Sequence, residues 1–362
     1  MYKDNFLEKK LEERIATNTL RALPSVDSSW VDFSSNDYLG IATNHLLHSD
    51  AALEHGSTGS RLLAGNYPLI EEAEAKIALF HEAETGLIFN SGYDANLGLL
   101  SCVAGREDTI FYDSLSHASI RDGIRLSLAK SFSFQHNDLT DLTKKLSNAT
   151  GNIFIVTESV FSMDGDECPL QELVTIALQY NAHIILDEAH ATGIIGEQGE
   201  GLAQHLQLHN NIFARVHTFG KACGAHGAVV LGSSRLRSFL INYARSFIYT
   251  TAIPASSVGC IIESYNTFPS MHAERKQLAQ YIKQFQDATL RYQKLSSNSA
   301  IQGVIVPGND AVKALAATLQ QNGLDIRPIL SPTVPKGSER LRIVLHSFNT
   351  QEELEKLIGL LW

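Results

Sequence analysis

Asp187 and Lys221 are residues of this 362-residue chain whose types and settings point to chemistry. Asp187 closes the run HIILD, so its carboxylate emerges at the tip of a buried strand. There it needs a cationic partner or hydrogen bonds to stay charged. Lys221 closes ARVHTFGK and is followed by the small residues of ACGAHG. In an apolar pocket the ammonium form of a lysine is destabilised, and the free amine becomes available for Schiff-base formation. The 34-residue separation of positions 187 and 221 is about one strand–helix–strand unit, so both can face one cavity from neighbouring or nearby strand ends. Each has a plainer reading alone: Asp187 serves equally as a helix cap or structural ion pair, and a lone lysine after a strand is normally solvated. A third feature, NSGYDANLGLLS, sets Ser91-Gly92-Tyr93 before a helix, where free backbone N–H groups and the helix dipole suit a phosphate. An ordinary glycine turn satisfies the same letters.

The tetrapeptide Asp187-Glu188-Ala189-His190 also spells the DEAH signature of nucleic-acid helicases. Such a motor requires G-x-x-x-x-G-K-[ST] upstream of the acidic strand. Gly220-Lys221 lies downstream instead, followed by Ala222, with Arg215 where the first glycine belongs. A nucleic-acid partner further calls for clustered cations. Here 29 Lys and Arg face 39 Asp and Glu, a formal net charge of −10, with no basic run. The composition excludes the helicase reading and any nucleic-acid partner.

The elements that must position these residues alternate along the chain. Short apolar, β-branched or aromatic runs stand at TGLIFNSG, DTIFYD, NIFIVTESV, HIILDEAH, ARVHTFGK and GAVVLGS. Helical patterns such as PLQELVTIALQYNA separate several of them. This order predicts an α/β fold with a mostly parallel sheet covered by helices on both faces, whose ligands bind beyond the carboxyl ends of the strands. The chain is long enough for a second, smaller unit. We expect an N-terminal helix and arm over residues 1–44, a large domain over 45–266 and a small C-terminal α/β domain over 267–362. The last would hold IQGVIVPG, the helix DAVKALAATLQQNG and the strand RLRIVLHS. The opening MYKDNFLEKKLEERIATNTL reads as a charged amphipathic helix, not a signal peptide. No apolar run reaches membrane-spanning length. Cys102, Cys168, Cys223 and Cys260 are scattered without C-x-x-C, which suggests reduced thiols, a cytoplasmic protein and no metal site.

Nine stretches together carry a specific resemblance: FSSNDYLG, GSTGSRLLAG, FNSGYDAN, DSLSHASIRDG, TESVFSMDGDECPL, LDEAHATGIIGEQGEG, HTFGKACGAHGA, FIYTTAIP and SPTVPKGSERLRIVL. In order and spacing the chain resembles the α-oxoamine synthases, enzymes of the aspartate-aminotransferase superfamily (fold type I) that depend on pyridoxal 5'-phosphate (PLP). The resemblance implies the PLP-dependent transferase fold and a homodimer whose sites are shared between subunits. It also implies that Lys221 holds the cofactor aldehyde and moves protons at the substrate Cα, while Asp187 keeps the pyridine nitrogen protonated. His190 and Ser162 would meet the phenolic oxygen, and His117 would stack over the ring. Gly92, Tyr93 and Thr218 would hold the phosphate, joined by Thr250 and Thr251 from a second subunit. Arg21, Asn36, Glu158 and Thr333 resemble positions near the substrates.

The implied reaction is the condensation of an amino acid with an acyl thioester, on CoA or an acyl carrier protein, with loss of CO2. The wording of FSSNDYLG, GSRLLAG and GDECPL, and the lack of an N-terminal extension, is nearest the biotin-pathway branch, hence L-alanine and a pimeloyl thioester. Glycine with acetyl-CoA or succinyl-CoA and serine with palmitoyl-CoA are the competing pairs. An aminotransferase or decarboxylase that uses no acyl-CoA, and a non-catalytic relative, are the other readings. The amino-acid carboxylate calls for a guanidinium; Arg327 and Arg342 are the candidates, Arg342 the better placed by motif. Three departures stand out. DIRPILSPTVP carries three residues beyond the compact I-R-P-P-T-V-P pattern, Ile70 stands where many relatives have His, and the stretch from Gly40 to Gly56 is short.

Overall fold

The computed structural model describes residues 3–23, 27, 29–48 and 50–362, in two units. One comprises Asn36–Ser162 with Asp166–Lys276, the other Met1–Ser35 with Met163–Gly165 and Gln277–Trp362.

The first unit is built on a seven-stranded sheet. Its spatial order is Thr85–Phe89, Ala228–Gly232, Ile212–Thr218, Ala182–Asp187, Ile153–Glu158, Thr109–Asp113 and Lys130–Phe134. Ala228–Gly232 runs antiparallel to both neighbours, and all other pairings are parallel. The fold is therefore the expected α/β architecture with a mixed, mostly parallel sheet.

Successive strand side chains point to opposite faces, and here both faces are covered. Phe154 and Val156 join a core cluster with Ile185, Val216 and Leu99, while Ile155 joins the opposite one with Ile184, Leu186 and Leu173. Two-sided burial explains why these strands read as unbroken apolar runs. Each such side chain contributes about 1.5–3 kcal/mol on burial; the buried Arg215 and His217 inside Ile212–Thr218 are polar exceptions. All six apolar runs are strands. The seventh, Lys130–Phe134, went unread because four of its five residues are exposed at the sheet edge.

In the second unit a four-stranded antiparallel sheet has the order Arg327–Ile329, Arg340–Val344, Ile301–Ile305, Gln293–Lys294. Val31–Asp32 lies parallel to Leu324–Asp325. Helices Glu8–Ala16, Asn309–Gln321, Gln351–Leu361 and most of His272–Asp287 belong to it. Thr350 and Glu353 start the last helix as a reciprocal capping box. The expected N-terminal helix is shorter than the charged pattern, and Leu11 and Ile15 on it are exposed. Met1 and Tyr2, part of that reading, lie outside the described residues. Among the described residues no helix is long and apolar enough to cross a membrane, no acid–His–Cys cluster is arranged to hold a metal, and the four cysteines are free.

Candidate active site

The carboxyl ends of the parallel strands assemble the site of the first unit. Asp187 is the last residue of its strand and is buried. Its Oδ2 accepts from Asn96 Nδ2 at 2.7 Å and its Oδ1 from the Ala189 N–H at 2.9 Å. These two donors satisfy a carboxylate held away from water.

The four DEAH letters make contacts of different kinds. Glu188 is fully buried and accepts the N–H groups of Leu202 (3.0 Å) and Ala203 (2.8 Å), tying the next helical turn to the strand end. Burial raises its pKa, against the pull of those two N–H groups. His190 is buried, with Nδ1 2.6 Å from the Tyr38 hydroxyl, which in turn donates to Asn36 Oδ1 at 3.1 Å.

Lys221 follows the adjacent strand, Ile212–Thr218, which pairs directly with that of Asp187. The chain then turns straight back into Ala228–Gly232. Within the connection Phe219 N–H meets Gly227 O at 2.9 Å, and Gly224 N–H meets Lys221 O at 2.8 Å. Gly224 has φ +61°, and a Cβ on it would lie 2.5 Å from Ile41 Cγ2, so the turn beside the lysine requires glycine.

Ser91 caps the helix Gly92–Val103 by accepting the Asp94 N–H at 3.1 Å. A Cβ on Gly92 would stand 2.5 Å from Thr218 Cγ2, so the helix start and the end of the lysine strand meet where a side chain would not fit. Tyr93 is exposed, its hydroxyl bonded to Asp122. Asn90, just upstream, donates to Thr250 Oγ1 (3.1 Å) and to Thr251 O (2.8 Å). Both threonines therefore sit beside this chain's own phosphate-suited turn. GSTGSRLLAG supports them: Gly59 O accepts the Ala252 N–H at 2.9 Å. Arg61 of that motif and Arg237 share the buried Glu74 carboxylate at 2.7 and 2.8 Å.

His117 ends the loop after Thr109–Asp113, and its N–H donates to Glu158 Oε1 at 2.6 Å. Its Nδ1 lies 2.8 Å from Ser119 Oγ and accepts the Ser119 N–H at 3.2 Å. Desolvation lowers the imidazole pKa; Asp187 opposes this, and the Lys221 and Arg121 cations reinforce it. Glu158 shifts the other way: burial raises its pKa, the Asp187 charge adds to that, and the His117 N–H and Lys221 oppose it. Among the sequence candidates, Asp187, His117, Glu158 and Lys221 are thus electrostatic neighbours; Thr218 ends the strand before Lys221, Gly92 abuts Thr218, and Tyr38 links Asn36 to His190. Ser162 lies partly buried in the segment after Glu158.

The remaining candidates belong to the other unit. Arg21 Nη2 donates to Thr333 Oγ1 at 3.4 Å. Arg327 and Arg342 are direct partners on antiparallel strands, so both side chains project from one face. Arg327 is also paired with Asp325 at 2.7 Å.

Sequence reasoning missed Asn96, Ser119 and Tyr38. Asn96 offered a signal, a polar residue among the buried Ala95, Leu99 and Leu100 of one helix.

Comparison with known proteins fits this geometry. The family described as aminotransferase class I and II matches residues 28–361. The 8-amino-7-oxononanoate synthase of Emericella nidulans is 40% identical, covering 97% of this chain and 92% of that protein. The 8-amino-7-oxononanoate synthase structure from Francisella tularensis superposes with TM-score 0.77 at 29% identity, over 92% of this chain and 97% of that one. A serine palmitoyltransferase variant from S. paucimobilis, solved with a bound PLP–myriocin aldimine, gives TM-score 0.86 at 25% identity, over 99% and 96%. A buried strand-end carboxylate, a lysine just beyond the adjoining strand and full-length likeness to these proteins agree: the chain belongs to the class I and II aminotransferase family, among its α-oxoamine synthases.

Proposed function

We propose that this chain is a PLP-dependent acyltransferase of biotin biosynthesis that condenses L-alanine with a pimeloyl thioester, giving 8-amino-7-oxononanoate and CO2 and releasing CoA or a carrier-protein thiol. The observation that carries the reading is the Asp187 carboxylate, buried and held by two N–H donors beside the strand that leads to Lys221. The donor set suits PLP. A buried carboxylate matches a protonated pyridine nitrogen, a lysine matches the aldehyde, and the helix start at Gly92, packed against Thr218, suits a phosphate through its first-turn N–H groups.

When bound, PLP supplies an aldehyde that captures amines and a ring that accepts electrons from a Cα carbanion. The protein does the rest. Lys221 holds the aldehyde and carries the Cα proton. Asp187 holds the proton on the ring nitrogen, His117 covers the ring face, and His190 with Ser162 meets the phenolic oxygen. Gly92, Tyr93 and Thr218 hold the phosphate; Thr250 and Thr251, which Asn90 ties beside this same turn, serve on the family's pattern the phosphate of a second copy across a homodimer seam. Arg342 grips the amino-acid carboxylate; Arg21, Asn36, Glu158 and Thr333 line the approach of the substrates, and Arg327 orders the strand beside Arg342. Cα bonds to the acyl carbon as the thiol leaves, and the alanine carboxylate departs as CO2. The acidic chain and free cysteines suit a cytoplasmic setting.

Thiol release measured across alanine with pimeloyl-CoA, glycine with acetyl-CoA or succinyl-CoA, and serine with palmitoyl-CoA tests the assignment. The first pair should give the highest kcat/KM. A clear preference for another pair rejects the substrates while retaining the chemistry, and transamination without thiol release rejects both.

A further inference from the structure

Asn96 stands between the two groups proposed to act on the ring, and nothing in the proposed function uses it. It is 2% exposed, and Ser119, its other partner, is fully buried. Close approach of two helices brings them together. A Cβ on Gly123, in the helix Ala118–Leu126, would come within 2.9 Å of both Asn96 O and Leu100 Cβ. Glycine there lets the helix bearing Ser119 press onto the one bearing Asn96.

The direction of every hydrogen bond in the chain is fixed. An ionised carboxylate only accepts, so the Asn96 atom 2.7 Å from Asp187 Oδ2 is the amide nitrogen. Its second N–H is directed to Ser119 Oγ at 3.1 Å. The Ser119 hydroxyl hydrogen is then available to His117 Nδ1 at 2.8 Å, where the Ser119 backbone N–H also arrives. Nδ1 is therefore an acceptor, and a neutral imidazole carries its proton on Nε2. One side-chain amide orients the carboxylate and, through one hydroxyl, the imidazole.

We infer that Asn96 is a positioning residue that locks the Asp187 carboxylate and the neutral His117 ring into one hydrogen-bonded unit for turnover. This rests on the proposed function, in which Asp187 and His117 face the cofactor. Without the amide, Asp187 loses a donor, its negative charge bears more strongly on the bound cofactor, and Ser119 Oγ is free to turn away from His117.

The test compares wild type, Asn96→Ala, Asn96→Asp and Ser119→Ala as PLP-loaded enzymes, with the melting temperature of each as a check on folding. Asn96→Ala should lower kcat about tenfold, the loss of one hydrogen bond to a charged group, with KM for both substrates within about twofold. It should also raise the pH midpoint of the bound cofactor's visible absorbance by roughly half a unit or more, since less compensated negative charge favours the protonated cofactor. Asn96→Asp, which keeps the shape, should lose more turnover, and Ser119→Ala should lower kcat with a smaller spectral shift. Unchanged kcat and absorbance midpoint in both Asn96 variants overturn the inference. So does a fall in kcat that tracks melting temperature and PLP affinity with no spectral shift, the mark of a purely structural residue. A wild-type protein that forms no reducible link to PLP instead overturns the functional reading, and the inference with it.

Discussion

The Tyr38 hydroxyl lies 2.6 Å from His190 Nδ1, joining two residues 152 positions apart at the buried end of the DEAH strand. The same hydroxyl donates to Asn36 Oδ1, so Tyr38 fixes which way both neighbours point. Tyr38→Phe removes only the oxygen. Loss of one neutral hydrogen bond, about 1 kcal/mol, should lower kcat several-fold and shift the bound cofactor's visible absorbance maximum. A spectrum and kcat identical to wild type would separate Tyr38 from the site.

Lys221→Ala should bind PLP through its phosphate but form no covalent link. Borohydride reduction and peptide mapping of wild type should place the label on Lys221 alone, and the variant should show none. Turnover should fall on the order of 10²–10⁴-fold or more, the range for removing a positioned proton-transfer group. Label on another lysine rejects the assignment.

Asp187→Asn preserves shape but removes the charge that keeps a pyridine nitrogen protonated. Turnover should fall by on the order of 10²–10³, as when a preorganised electrostatic group is lost, with PLP still bound. An amide at this position also faces the Asn96 N–H donor, so one oriented hydrogen bond is retained at best. Near wild-type turnover would show that the ring works without its counter-ion.

Arg327 and Arg342 project from one face of the same sheet, yet Arg327 is paired with Asp325. Arg342→Ala should raise KM for L-alanine roughly 10- to 100-fold, the worth of a charged hydrogen-bonded contact, and leave KM for the acyl thioester near wild type. Arg327→Ala should act chiefly on stability. The opposite pattern in steady-state kinetics would exchange their roles.

His136 supplies a pH signature away from the chemistry. Its Nδ1 lies 3.0 Å from the buried Asp113 and its Nε2 2.8 Å from Asp166. Desolvation lowers its pKa, but the hydrogen bonds and charges of the two carboxylates prevail and raise it to about 10. A raised folded-state pKa means stability fully present below the unfolded value near 6.5 and lost as pH climbs through about 10. Denaturant titrations should show this decline in wild type. His136→Ala should be destabilised by about 1 kcal/mol at neutral pH, since solvent screens a partly exposed ion pair, and by much less near pH 10. Parallel curves for the two proteins would exclude the clamp.

How much was legible follows from how far each signal reaches. Ile184, Ile185 and Leu186 are apolar because both sheet faces are covered, so the strand and the emergence of Asp187 could be read locally. The register of Lys130–Phe134 could not, since its exposed edge bears Lys, Ser and Phe alike. Nor could Glu188, which shares a motif with Asp187 but spends its carboxylate on two N–H groups 14 and 15 residues on. Asn96 and Tyr38 act across 91 and 152 residues, and no local pattern encodes such partners. Arg61, within the motif GSTGSRLLAG, meets Glu74 in a buried ion pair.

The connection that carries Lys221 differs from its neighbours in chain economy. Ile212–Thr218 returns directly into Ala228–Gly232, whereas the parallel pairings of the sheet must close through crossovers. Closing a short loop loses less chain entropy than closing a long one, and contacts between near neighbours in sequence form sooner. The ribbon bearing the lysine is therefore the pairing best suited to early formation. Asp187 and the helix bearing Asn96 would then dock against an edge already in place. On this topology the setting of Lys221 would form as scaffold, and Asp187 and Asn96 would be added by the slower, long-range closure of the sheet.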